Sequence, residues 1–282
     1  MDERTFARQD MSTAPDRELR IENQEIDGYA QTITLRSYRP LASRRSTPLI
    51  LYFHGGRFNG GSLSDAGIPA EAIALSAGAW VVAVGYSLAP AFPFPAALED
   101  GYRALQWAVS HATANGADAH RIGLAGHDAG GNLATCIAAM ARDRREIRIS
   151  AQALIAPLLD PSMTHRVQDV ATDHMLDISL YANCYRAYLP NPMQRLHPYA
   201  APLDSRRLTG LPPTLIASAE HDQLHVEADK YAAVLIAAGI PTEVTRHSQV
   251  SHEAIATSPA VLADVGEFFK KRLAKPQRPG PQ

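Results

Sequence analysis

R-I-G-L-A-G-H-D-A-G-G-N-L-A-T, residues 121–135, is the stretch that decides the fold. A short apolar run meets Gly126, His127, Asp128, Ala129 and Gly130, and an alanine-rich helical pattern starts directly after it. This is the layout of a nucleophile elbow, G-x-S-x-G, a sharp strand-to-helix turn that lifts one side chain above a sheet. Glycines flank the turn because it is too cramped for Cβ atoms. The layout calls for serine at the reacting position, and this chain has Asp128 there.

Working outward, the apolar runs at 48–53, 79–86, 121–126, 151–157 and 213–219 are short and continuous, as strands buried on both faces are. Residues 241–247 add a sixth, and 29–38 alternate apolar and polar like a half-buried edge strand. Helical spacing is read at 96–109, 131–142, 227–238 and about 259–273. Strands alternating with helices predict an α/β fold, a mostly parallel central sheet with helices on both faces. Residues 160–204 interrupt the alternation with one helical stretch, 178–189, between polar and proline-rich flanks. An insertion at the carboxyl edge of a sheet is placed to serve as a helical cap over a site.

Composition bounds the function. The chain has 282 residues, 46% hydrophobic and 20% charged, with a formal net charge of −2, which is ordinary for a globular protein with a large core. Such a balance gives no argument for a nucleic-acid partner. The two cysteines, Cys136 and Cys184, have neither metal spacing nor the look of a disulfide framework, which suits a reducing compartment. The first ten residues hold no apolar signal core, and no apolar run approaches membrane-spanning length. The expectation is a cytoplasmic protein with a small-molecule substrate, no membrane contact, and no metal or organic cofactor; a homodimer is compatible with the sequence.

Three features converge on an acyl-transfer layout. One is the elbow. Another is His54-Gly55-Gly56 after an early strand, a glycine loop suited to supplying backbone N–H donors. The third is an acid followed by a histidine: Asp222, 94 residues after Asp128 and just past a strand end, then His252, 30 residues further and also past a strand end. Nucleophile, acid, base is the chain order of α/β-hydrolase triads.

With these residues in place, the chain resembles the hormone-sensitive-lipase-like, or acetyl-esterase-like, branch of the α/β-hydrolases over about residues 25–272. The resemblance is carried by L-Y-F-H-G-G (51–56), Y-S-L-A-P-A-F-P-F-P-A-A-L-E-D (86–100), G-H-D-A-G-G-N-L-A (126–134), A-S-A-E-H-D-Q-L (217–224), G-I-P-T-E-V (239–244) and S-H-E (251–253). It implies that Gly55, Gly56 and the Ala129 N–H form an oxyanion hole, that His252 is the base and that Asp222 orients it. It also implies the division of the chain: residues 1–30 and 160–204 as cap, 31–159 and 205–274 as the α/β-hydrolase core. Residues 275–282 read as a disordered tail.

The sequence departs from that branch twice. Asp128 replaces its serine, and Arg57 replaces the third glycine of its H-G-G-G run. A carboxylate attacking an ester would give a mixed anhydride, a poor trade. The string G-H-D-A-G-G is also similar to the elbow of epoxide hydrolases and dehalogenases, which attack an alkyl carbon with Asp and then hydrolyse the alkyl-enzyme ester with His-activated water. Those families usually place an aromatic residue after the Asp, where this chain has Ala129. Trp80 and Trp107 fall in a predicted strand and helix and read as core residues. Arg57 reads equally as a salt-bridge partner or a site cation, His54 as a substrate contact beside the glycines, and Tyr181, Tyr185 and Tyr188 of the cap helix as groups able to polarise an epoxide oxygen or as packing. The expectation is a hydrolase of a small or medium apolar substrate through Asp128, His252 and Asp222. Ester or amide hydrolysis by His252-activated water, and a small-molecule binder that has lost catalysis, are the alternatives.

Overall fold

The computed structural model describes residues 18–42, 46–163 and 178–275. Eight strands form one sheet: β1 (Leu19–Asp27), β2 (Thr32–Pro40), β3 (Thr47–Phe53), β4 (Trp80–Gly85), β5 (Ala117–His127), β6 (Ala151–Ile155), β7 (Thr214–Ala219) and β8 (Thr242–His247). Their order is β1-β2-β4-β3-β5-β6-β7-β8. The β1–β2 and β2–β4 pairs are antiparallel, and every later pair is parallel. The sheet is therefore the mostly parallel one read from the sequence.

The strand composition explains the layering. All seven residues of β3 are buried. Leu49, Leu51 and Phe53 enter one apolar core while Ile50 and Tyr52 enter the other, because successive side chains leave a strand on opposite faces. The first core is covered by α2 (Ala96–His111), α3 (Ala129–Arg144) and α5 (His225–Ala237), and the second by α1 (Gly67–Ala77) and α7 (Pro259–Arg272). Trp80 is buried in the first core and Trp107 packs partly buried against it, so both tryptophans are core residues.

Three described elements differ from the sequence reading. Residues 19–27, expected to belong to a cap, form β1 at the sheet edge; its side chains are almost all exposed, so no burial period marks it. Helix α1 went unread because it has no apolar stripe, with Ile68 and Leu75 exposed although neighbouring positions are buried. The single turn α6 (His252–Ile255), N-capped by Ser251, is too short to leave a period. The expected cap contributes α4 (Ile178–Tyr188) and a 3-10 turn at Pro192–Leu196. Residues 1–17, 43–45, 164–177 and 276–282, including most of the expected tail, lie outside the described residues. Among the described residues no helix is long and apolar enough to cross a membrane.

This topology positions the site. β3, β5, β7 and β8 run parallel, so the segments after their last residues, 54–57, 128, 222 and 252, all emerge at one edge of the sheet.

Candidate active site

Asp128 sits at the tip between β5 and α3 with φ 55° and ψ −117°, a conformation non-glycine residues rarely hold. Its backbone is over-determined. Its N–H donates to the Ile155 carbonyl at 3.0 Å, and its carbonyl accepts from Gly131 at 3.0 Å and Leu158 at 3.1 Å. Gly130 is required because a Cβ there would run into the carbonyl oxygens of Phe53 and His54. The Asp128 side chain is buried, at the N-terminus of a sixteen-residue helix whose dipole favours an anion.

The loop after β3 wraps over this carboxylate. Gly56 has φ 125°, and Arg57 and Phe58 follow with φ 54° and 67°. This run of positive φ turns consecutive N–H groups inward. Gly56 N–H and Arg57 N–H donate to Asp128 Oδ2 at 2.9 and 2.7 Å. Of the three groups expected as oxyanion donors, Gly56 gives its N–H to the Asp128 carboxylate, and Arg57, which was not among them, does too. Gly55 gives no N–H to the carboxylate; it is needed for space, since a Cβ would press on the His127 ring. Ala129 opens α3, and its N–H is not among the groups bonded to the carboxylate. The N–H pair is therefore already filled by the protein's own anion.

Asp128 Oδ1 has no hydrogen-bond partner and lies 3.6 Å from His252 Nε2. On the other side of the ring, His252 Nδ1–H donates to Asp222 Oδ2 at 2.7 Å. Asp222 is itself fixed by the Leu224 N–H at 2.9 Å. The imidazole is sandwiched between two buried carboxylates. Burial opposes its charge, but pairing with Asp128 and Asp222 wins and pushes its pKa up to about 10. The same pairing, with the N–H of Gly56, overcomes burial and holds Asp128 well below the usual carboxylate range. The pairing thus favours the charged forms of Asp128 and His252 together.

His127 is a contributor whose contact the sequence could not specify. Its Nε2–H donates to the His252 carbonyl at 3.1 Å, and its ring lies 4.9 Å from the His252 ring. Burial first, and the His252 charge second, push its pKa down to about 4, so it stays neutral and can hold the turn beneath the charged histidine.

A cavity of about 450 Å³ opens over Asp128, His252 and Arg57, with Ser64, Asp65 and Ile68 on its outer wall. Arg57 lies with its guanidinium 5.5 Å from the Tyr181 ring centroid and 3.8 Å from the Glu253 carboxylate. Tyr181 stands edge-on to His252 at 6.4 Å. Tyr185 packs against Phe58 at 5.9 Å, and Tyr188 stacks on Phe58 at 3.9 Å. His54 does not line this cavity. It is buried, stacked on Tyr86 at 4.2 Å and bonded to the Gly55 carbonyl at 2.7 Å, a brace for the loop. Among the described residues no group of three or more His, Cys, Asp or Glu is arranged to hold a metal ion.

The roots of the 160–204 segment are tied to the elbow. Asn132 Nδ2, one turn into α3, donates to the Leu158 carbonyl at 2.8 Å and the Ala200 carbonyl at 3.2 Å, bridging the two ends. Glu227, fully buried on α5, accepts from the N–H groups of Leu159 and Asp160 at 2.9 and 3.0 Å. Losing either side chain would strand buried backbone groups, a cost of about 1–3 kcal/mol for each group left unsatisfied.

A family model described as alpha/beta hydrolase fold matches residues 50–256. The esterase LipI of Mycobacterium tuberculosis is 38% identical over 244 residues, 83% of this chain and 75% of the relative. An ethyl acetate hydrolase of Pseudomonas putida is 34% identical over 231 residues, 80% of this chain and 72% of the relative. Among solved structures, a hyperthermophilic esterase from Pyrobaculum calidifontis superposes with a TM-score of 0.84 at 34% identity, covering 89% of this chain and 85% of that one.

Proposed function

The chain belongs to the α/β-hydrolase family and is a hydrolase of the esterase/lipase type, and from that premise we propose that it works through a covalent intermediate on Asp128, formed on an sp³ carbon of a small, strained-ring ether such as an epoxide. The observation that carries this reading is the division of labour within one carboxylate. Oδ2 is held by two N–H groups, while Oδ1 has no hydrogen bond and faces His252. A carboxylate in this pose cannot lend its N–H pair to a substrate carbonyl. It can attack an alkyl carbon and keep Oδ2 in place.

The charges follow the chemistry. Asp128 Oδ1 forms a bond to a ring carbon, the carbon–oxygen bond breaks, and the ring oxygen takes the Nε2 proton of the His252 imidazolium. Asp128 is then a neutral ester, so His252 has lost one of the two anions that held it charged and becomes a competent base, still oriented by Asp222. It takes one proton from a water whose oxygen attacks the Asp128 Cγ. The oxyanion forms on Oδ2, where the Gly56 and Arg57 N–H groups already point. The alcohol leaves with the second proton of that water, which restores the carboxylate and the imidazolium. The described parts of 160–204 act as the cap that keeps bulk water from the ester, with Tyr181 over His252.

The test is isotopic. With enzyme in excess over styrene oxide in ¹⁸O-water, the first turnover is expected to give diol carrying unlabelled oxygen from the protein, with the label on Asp128. In His252→Asn ring opening loses its proton donor and hydrolysis loses its base, so the adduct should form more slowly but persist on the Asp128 peptide, seen by mass spectrometry after prolonged incubation. Label in the first-turnover diol, with no adduct in the variant, would sink the covalent route. A second reading, ester hydrolysis by His252-activated water, is favoured by the esterase names of the relatives. It needs neutral His252, so it predicts p-nitrophenyl butyrate hydrolysis that rises only as pH nears about 10.

A further inference from the structure

We infer that Arg57 is a carboxylate receptor in the cavity wall, so that the ligand of this site is a monoanion carrying a carboxylate next to its reacting part. Arg57 Nε is buried and has no hydrogen-bond partner. The side chain is 28% exposed and lines the same cavity as Asp128 and His252. A guanidinium presents donors in a fixed planar fork, and leaving one of them dry and unpaired is costly. The partners it has are weak. Glu253 is 3.8 Å away and 66% exposed, beyond a good hydrogen bond and screened by water. Tyr181 offers its ring face and hydroxyl, both uncharged. A carboxylate in the cavity meets the exposed part of this guanidinium as a charge-assisted contact, and a small turn of the side chain would bring the buried Nε into the same bidentate fork.

The class of anion follows from the other charges present. Asp128 and Asp222 flank His252, and Asp65 and Glu253 stand on the cavity wall. Asp65 is engaged by the Ser62 hydroxyl at 2.9 Å. Two inner carboxylates already match His252 and leave one negative charge over, so a dianionic phosphate would meet more repulsion than a single carboxylate. Planarity and a single charge both select the carboxylate. Its placement next to a strained ring rests on the Asp128 reading. The carboxylate preference does not, because it is a property of binding alone.

Binding is measured without turnover, by calorimetry at pH 7, with matched probes: 3-phenylpropanoate against 3-phenylpropanamide. The wild type is expected to bind the acid about ten-fold or more tighter than the amide, a charge-assisted against a neutral contact. Arg57→Gln should erase the ratio, and Arg57→Lys should keep part of it, retaining charge without the fork. Glu253→Gln removes the exposed competitor and should raise the ratio. Using a ratio within each protein guards against variants that merely fold less well. A wild type with no preference for the acid, or an Arg57→Gln variant that keeps it, overturns the inference. Either result leaves the isotopic test of Asp128 standing on its own.

Discussion

Asp128→Ser is expected to turn the protein into a carboxylesterase, with kcat/KM on p-nitrophenyl butyrate raised by about two orders of magnitude or more over the wild type at pH 7–8. The substitution does three things at once. It frees the N–H groups of Gly56 and Arg57, which the Asp128 carboxylate now occupies. It removes one of the two anions that hold His252 charged, so the imidazole can accept a proton near neutrality. It also places a hydroxyl at the tip of a turn whose backbone is already clamped by Ile155, Gly131 and Leu158. Each released N–H donor is worth up to about 10²–10³ in rate when aimed at a developing oxyanion. No gain over the wild type would mean that the freed N–H pair does not face a substrate carbonyl, and the account of a filled donor pair would fall.

The second large effect is on pH. The His252 proton should be visible by NMR far above its ordinary titration, with a midpoint near pH 10. Because the folded pKa is raised above the unfolded value of about 6.5, its contribution to stability is fully present below the unfolded pKa. It declines as pH climbs and is gone above the folded pKa, so the loss falls between about pH 6.5 and 10. Asp128 has the opposite sign: its depressed pKa stabilises above the ordinary carboxylate range and is lost on acidification. Asp128→Asn should lower the His252 midpoint by about one unit or more and flatten the alkaline loss of thermal stability. An unchanged midpoint in that variant would show that the 3.6 Å approach carries no charge pairing.

What could be read from the chain, and what could not, divides along physical lines. Continuous apolar runs such as 48–53 and 121–126 report burial on both faces, so the parallel sheet and its site-bearing edge were legible. The order Asp128, Asp222, His252 carried the constellation, because strand ends at one edge converge whatever the loops do. β1 was not legible, since an edge strand with exposed side chains is held by main-chain bonds and leaves no pattern. That the Arg57 N–H joins Gly56 on the Asp128 carboxylate was hidden for another reason. Which N–H points inward depends on φ at Gly56, Arg57 and Phe58, and non-glycine residues at positive φ give no composition signal. The pairing of His127 with the His252 carbonyl likewise needs three dimensions, although its placement beside Asp128 flags it.

One further consequence follows from the carboxylate seated on the Gly56 and Arg57 N–H groups. Fluorophosphonates, sulfonyl fluorides and boronic acids inactivate hydrolases with a hydroxyl nucleophile by making a tetrahedral adduct whose anionic oxygen needs such a donor pair. Here the lodging is taken and the hydroxyl is absent. The wild type should therefore pass through a fluorophosphonate-biotin labelling experiment unmarked, at concentrations that label Asp128→Ser to completion. A survey that counts active hydrolases by that reagent would leave this one off the roll, and electrophiles aimed at carboxylates, such as epoxides, are the reagents to search with instead.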